Sequence, residues 1–103
     1  MLFMVNIVVH LPGDLPKDKS DLLVKAETAR GMQCIKEGKL KRIYRVVGQR
    51  ANFSIWEANT LEELHATLFS LPMHPYMDVS VNPIIKHSTT EDWEATHGAM
   101  PPF

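Results

Sequence analysis

The sequence predicts an α+β fold of the ferredoxin-like kind, with elements in the order β-α-β-β-α-β. Three observations carry that reading. Apolar residues alternate from Leu2 to Leu11. The period then turns helical from about Asp18 to Glu37. The run Leu71-Pro72-Met73-His74-Pro75-Tyr76-Met77 closes a second helical pattern and opens a last strand. Such an order gives one four-stranded antiparallel sheet with two helices on one face.

Leu2 to Leu11 is rich in Val and Ile. Phe3, Val5, Ile7, Val9 and Leu11 share one face, and Met4, Asn6, Val8 and His10 share a more mixed one. Pro12-Gly13-Asp14 marks a turn. In the helix that follows, Leu22, Ala26, Ala29 and Gln33 form the expected stripe, flanked by Leu23, Arg30 and Cys34. Asp18 or Ser20 is placed to cap its start, and Gly38 to end it. Gly31 inside it costs about 1 kcal/mol against alanine and permits a close backbone contact. Lys41–Val47 and Arg50–Ala58 read as strands joined by Gly48-Gln49 into a hairpin. Thr60-Leu61-Glu62-Glu63 is a capping-box pattern opening a shorter helix through Leu71. Proline cannot continue a helix, and it pushes the residue before it towards extended backbone. The segment after Leu71 is therefore expected to be a stiff extended corner leading to a strand over Tyr76–Val81, stopped by Asn82-Pro83. From about His87 the chain is polar, with Trp93, Met100 and Phe103 as apolar anchors. The expected organisation is one domain over residues 1–88 and a C-terminal tail, 89–103, covering either the active site or a neighbouring subunit.

With 103 residues, the chain suffices for one domain with one modest core. Its 45% apolar and 22% charged content is that of a globular protein. A net charge of −1 with no basic stripe argues against nucleic acid as a partner. The single cysteine, Cys34, excludes an internal disulfide and fits a reducing, cytoplasmic compartment. The apolar start lacks a charged leader region and is interrupted by Asn6 and His10, so it reads as a strand, not a signal peptide. No run approaches bilayer-spanning length, so no membrane partner is expected. His10, His65, His74, His87 and His97 are scattered without ligand spacing, so no metal site is expected. The second sheet face, with Met4, Val8, Tyr44 and Trp56 read as its apolar members, is expected to be buried against a second subunit.

Several short motifs then stand in a recognisable order. They are Met1-Leu2-Phe3; Arg45-Val46-Val47-Gly48 followed by Ala51-Asn52-Phe53-Ser54-Ile55; Glu63-Leu64-His65; and Leu71-Pro72-x-x-Pro75-Tyr76-Met77. From Met1 to about Ser88 the chain resembles the muconolactone isomerase family. The resemblance implies small bacterial enzymes of the dimeric α+β barrel type, assembling as dimers within larger rings, often decamers. It implies no metal or cofactor. The substrates would be muconolactones, unsaturated five-membered lactones with a carboxymethyl arm, met in the catabolism of aromatic compounds. The isomerase moves a ring double bond. Close relatives release chloride from 5-chloromuconolactone to give a dienelactone.

Either reaction starts by removing a proton from a carbon activated by the lactone carbonyl. That requires a base with an adjusted pKa, donors for the developing enolate oxygen, and groups to hold the carboxylate arm. Glu27 is the candidate base. Helical spacing sets it beside Leu23 and Cys34, where half-burial would raise its pKa. The resemblance also places a glutamate in this helix. The competing reading is a solvated glutamate paired with Arg30 or Lys25. Arg45 offers a planar fork for the substrate carboxylate or lactone oxygen, or else forms a surface ion pair. Asn52 and Ser54 share a strand face with Trp56; they would bind a lactone oxygen against an indole wall, or serve as ordinary sheet residues. His65 is a candidate contact or a structural helix histidine. His74 sits in the proline corner where relatives usually carry an aromatic. Tyr76 either donates to a carboxylate or anchors the strand.

Other positions also depart from the family pattern. Met4 stands where histidine is frequent, Arg50 and Phe53 where many relatives carry tyrosine, and Tyr44 where tryptophan is usual. The tail is also longer. An isomerase must return a proton to carbon, whereas an eliminating dehalogenase need not. Loss of polar pocket residues with Glu27 retained therefore favours 5-chloromuconolactone dehalogenation. The alternative is muconolactone delta-isomerase; a non-catalytic binding module or a cofactor-free oxygenase on the same fold rank below both.

Overall fold

The computed structural model describes residues 1–102; Phe103, read above as a tail anchor, lies outside the described residues. The elements are β1 (Leu2–Val9), α1 (Lys17–Lys36), β2 (Leu40–Arg45), β3 (Ala51–Glu57), α2 (Leu61–Phe69), a single 3-10 turn (His74–Tyr76), β4 (Met77–Ile84) and α3 (Ser88–His97). The sheet order is β2-β3-β1-β4 with antiparallel neighbours throughout. This is the expected ferredoxin-like arrangement with one helix added at the C-terminal end.

Alternation along β1 works as the sequence implies. Phe3, Val5 and Ile7 are buried, and they cluster with Cys34 of α1 and Leu64 and Leu68 of α2. Both helices therefore cover the same face of the sheet. Cross-strand register carries that face outward from β1: Phe3 pairs with Trp56, Val5 with Ser54, and Ile7 with Asn52. Trp56 is 2% exposed, so it belongs to the core and not to the opposite face. The helix-free face keeps Met4 and Val8 of β1, Tyr44 of β2, and Phe53 and Ile55 of β3.

The hydrophobic face of α1 differs from the expected stripe. Its inward residues are Leu23, Glu27, Arg30, Gly31 and Cys34, while Leu22 is 67% exposed. The inward line is displaced by one residue, about a quarter turn. The reason is that Val24, Met32 and Ile35 are apolar too, and all three are exposed. Apolar residues thus lie on more than one side of α1, and spacing alone does not choose among them. No side chain caps the start of this helix. Pro16 occupies the cap position with its φ fixed at −55°. Gly38 ends it as expected: at φ +77° it lets the Lys39 N–H reach the Cys34 carbonyl at 2.9 Å.

At the start of α2, Thr60 accepts from the Glu63 N–H at 3.1 Å, the first half of the capping box. The return bond goes from the Asn59 N–H to Glu63 Oε2 at 3.2 Å, one residue earlier than the motif prescribes. The proline corner is not extended. The His74 N–H bonds to the Leu71 carbonyl and the Tyr76 N–H to that of Met73, both at 2.9 Å, closing a tight helical turn. Pro75 fits there because the first turn of a helix needs no N–H from it. β4 likewise runs through Asn82-Pro83 to Ile84, because it is an edge strand whose outer side has no ladder to break.

The tail is helical, not irregular. His87 caps α3 by accepting the Thr89 N–H at 3.0 Å on Nδ1. Gly98, at φ +85°, turns the chain back, so Met100 and Pro101 join Trp93, Thr89 and Thr90 around a small apolar hollow. No helix among the described residues is long and apolar enough to cross a membrane.

Candidate active site

The main cavity, of about 590 Å³, lies between α1 and the helix-bearing face of β1, β2 and β3. One wall is the α1 flank from Val24 to Ile35, including Glu27. The floor is Ile7, Asn52, Ser54 and Trp56. Leu71, Met73 and Met77 close one side, and Arg45 and Arg50 stand at the hairpin end. Most of this surface is apolar, and among the described residues Glu27 is its single acidic one.

Glu27 is half-buried on the inward face of α1. Its carboxylate accepts a hydrogen bond from the Met73 backbone N–H, with Oε1 at 2.9 Å. Burial raises its pKa above the ordinary 4.5, and the Met73 bond opposes part of that rise. Neither Arg45 nor Arg50 forms an ion pair with it among the described residues. The solvated pairing with Arg30 does not form either: Arg30 turns to the Ser70 hydroxyl, with Nη2 at 2.9 Å. The proline corner therefore has a chemical consequence. Its tight turn leaves the Met73 N–H outside the turn's own bonds and aims it at a carboxylate on another element.

Three further expected residues meet Glu27 in this cavity. Arg45 and Asn52 are cross-strand partners, so both project onto the helix-bearing face. Asn52 also lines the cavity, and its Oδ1 is shielded and without a hydrogen-bond partner among the described residues. Trp56 supplies the indole wall. Ser54 also borders the cavity, but its hydroxyl is committed to the frame: it donates to the Val5 carbonyl at 3.2 Å and accepts from the Trp56 indole N–H at 2.8 Å.

His65, His74 and Tyr76 do not line the cavity. α2 turns Leu64, Thr67 and Leu68 inward, which leaves His65 on its exposed side. There the His65 ring lies 4.8 Å from that of Phe69, which in turn lies 3.7 Å from the His74 ring. Tyr76 anchors the strand entry, its carbonyl accepting from the His10 N–H at 2.7 Å. Arg50, conversely, lines the cavity although it was not among the expected site residues. Strand alternation through Arg50, Asn52, Ser54 and Trp56 carries the signal that identifies it.

Among the described residues, none of the tail lines this cavity. β4 pairs Met77 with Val9 at the end nearer the hairpin arginines, and Ile84 with Leu2 at the far end. The tail leaves from that far end, tied back by a 2.8 Å pair between Lys86 and Glu94. Among the described residues no group of three His, Cys, Asp or Glu side chains is arranged to hold a metal ion. Cys34 is fully buried in the core, where desolvation raises its pKa and keeps the thiol protonated.

A single carboxylate with a raised pKa in a mostly apolar cavity has the character that proton-transfer chemistry requires. The comparisons give this class a family. The model of the muconolactone delta-isomerase family matches residues 1–90. Over 90 residues the chain is 41% identical to muconolactone delta-isomerase of Cupriavidus pinatubonensis, covering 87% of this chain and 98% of that protein. Against the enzyme of that name from Acinetobacter baylyi it is 37% identical, covering 87% and 94%. A crystal structure of muconolactone isomerase superposes with a TM-score of 0.80 at 36% identity, covering 84% of this chain and 91% of that one. The chain belongs to the muconolactone isomerase family. A dehydrochlorinase of Burkholderia phenoliruptrix, at 17% identity and a TM-score of 0.62, shares the fold alone.

These findings overturn the expected preference for chloride elimination. Relatives at 32 to 41% identity over most of the chain are muconolactone delta-isomerases. The structure removes the argument that favoured dehalogenation. Met4, Tyr44 and Phe53 face the helix-free side of the sheet, and His74 packs at a tilt against Phe69, so none of them strips polarity from the cavity.

A stability effect follows from the position of Glu27. Its folded pKa lies above its unfolded value, so the folded protein holds the proton more tightly than the unfolded chain. Its contribution to stability is greatest below the ordinary carboxylate value and declines as pH rises through the raised folded value. Glu27→Gln keeps an oxygen for the Met73 N–H and removes the ionised form. Measured by calorimetry, the melting temperature of the variant relative to wild type should increase as pH rises from about 4 to neutrality. A difference independent of pH would contradict the buried-carboxylate account.

Proposed function

We propose that the protein is a muconolactone delta-isomerase in which Glu27 is the proton-transfer base. The supporting observation is the half-buried Glu27 carboxylate, bonded to the Met73 N–H and alone among apolar cavity walls. In the proposed reaction the ionised carboxylate takes a proton from the ring carbon bearing the carboxymethyl arm. The electron pair moves through the ring double bond onto the lactone carbonyl oxygen. The protonated Glu27 then returns the proton to the carbon next to that carbonyl. The double bond has moved, no atom is gained or lost, and Glu27 is restored.

Each half of this cycle constrains the pKa. A carboxylate at the ordinary value is a weak base, and one raised towards neutrality both accepts and returns a proton more readily. The Asn52 amide would donate to the lactone oxygen as charge develops there, Arg45 would hold the carboxylate arm, and Trp56 would form the apolar floor. Ser54 would act through Trp56 by fixing the indole. Copies would associate through the helix-free sheet face, where Met4, Val8, Phe53 and Ile55 present apolar surface, as dimers within a larger ring in the cytoplasm. Residues 1–88 would form the catalytic domain, and the tail, 89–103, would reach a neighbouring subunit.

The direct test supplies purified protein with muconolactone and follows the shift of the double bond spectroscopically. Glu27→Gln should lower kcat by at least roughly a hundredfold. Turnover retained within a few-fold would remove Glu27 from the chemistry.

A further inference from the structure

Of the departures from the family pattern at Met4, Tyr44, Arg50, Phe53 and His74, Arg50 alone lines the cavity. Its direction is fixed by the sheet. The Val9 N–H bonds to the Arg50 carbonyl at 2.9 Å, extending the β1–β3 ladder by one residue beyond Ala51. Alternation then turns Arg50 to the same side as Asn52. Arg45, the cross-strand partner of Asn52, projects to that side as well. The two arginines thus flank the Val46–Gln49 connection and converge on one end of the cavity.

Their charges are unanswered. Neither guanidinium has an ion pair or a side-chain hydrogen bond among the described residues, while Arg30 and Lys39 both contact Glu37. Among the described residues, Arg45 and Arg50 are the only cationic ones lining the cavity, and the one acid, Glu27, is bonded to the Met73 N–H instead. Two like charges at the end of an apolar hollow attract an anion strongly. Two guanidinium forks also suit a carboxylate geometrically. Their separation from Glu27 matters too, because an anionic arm held at the hairpin end stays clear of the negative base.

We propose that Arg50 is a specificity-determining residue that joins Arg45 in an anion clamp, selecting lactones with a free carboxylate arm over neutral ones. This deepens the isomerase reading and rests on it for the identity of the substrate. The clamp would not touch the reacting carbons, so Arg50 contributes to capture and orientation and leaves the proton transfer to Glu27.

Binding is measured by titration calorimetry at low ionic strength. The two probes are the saturated carboxymethyl lactone, which cannot isomerise, and its methyl ester. Wild type should bind the acid more tightly than the ester. Arg50→Gln should weaken acid binding roughly fivefold and leave ester binding unchanged. Arg50→Lys should recover part of the acid preference, and added salt should shrink it. Equal weakening of acid and ester, unchanged acid binding in Arg50→Gln, or a wild type that does not prefer the acid would each overturn the clamp. Turnover of muconolactone by wild type is scored separately. Its absence with the acid preference intact would defeat the isomerase reading and leave the clamp standing.

Discussion

The hydrogen bond from the Met73 N–H to the Glu27 carboxylate joins the two parts of the fold that the site depends on. Glu27 belongs to α1, on the inward face that also carries Leu23, Arg30, Gly31 and Cys34. A carboxylate on that face loses much of its hydration, and this burial raises its pKa. One backbone donor offsets part of the loss and fixes where the oxygen sits. The donor comes from a turn with Pro72 on one side and Pro75 on the other, each with a restricted φ. A turn so constrained loses little further freedom in presenting its N–H. Arg30 reinforces the same junction by binding Ser70, whose hydroxyl also donates to the Thr67 carbonyl at 2.6 Å, just ahead of the corner.

Opposite the carboxylate, the sheet supplies a rigid floor. Cross-strand register decides which side chains reach the cavity, because a slip of one residue would reverse every one of them. Phe3, Val5 and Ile7 pair with Trp56, Ser54 and Asn52, and that single register sends polar and aromatic groups to the same side. Ser54 answers the buried Trp56 indole N–H, so the floor carries no unsatisfied indole donor. Asn52 borders the cavity, with its Oδ1 shielded and unpaired among the described residues. The hairpin brings in Arg45 and Arg50 beyond it, giving the cavity a cationic end and an acidic wall.

Much of this was legible in the chain itself. Alternation in β1, the glycine ending α1 and the Thr60 cap were all readable, because each depends on neighbouring residues alone. The stripe of α1 was not, since Leu22, Val24, Met32 and Ile35 are apolar on faces that packing leaves open. Glu27 was identifiable from its place beside Leu23 and Cys34. His74 and Tyr76 belong to the proline corner and His65 to the Glu63-Leu64-His65 motif, yet none of the three lines the cavity. The corner folds as a helical turn: Met73 lines the cavity and aims its N–H at Glu27, while His74 and Tyr76 do not line it. Arg50 was missed because an arginine beside a hairpin turn reads as a solvated residue until its strand register is known. Dehalogenation failed as a reading for a related reason: several departures from the family pattern lie on the opposite side of the sheet.

In the proposed mechanism the cavity and the corner together hold a carboxylate whose raised pKa suits it to act as the base. The pH dependence of kcat/KM for muconolactone tests this most directly, since it reports the ionisation of the free enzyme's essential base. The predicted profile falls on the acid side with a midpoint above the ordinary carboxylate value of 4.5. A midpoint at or below that value would contradict the account.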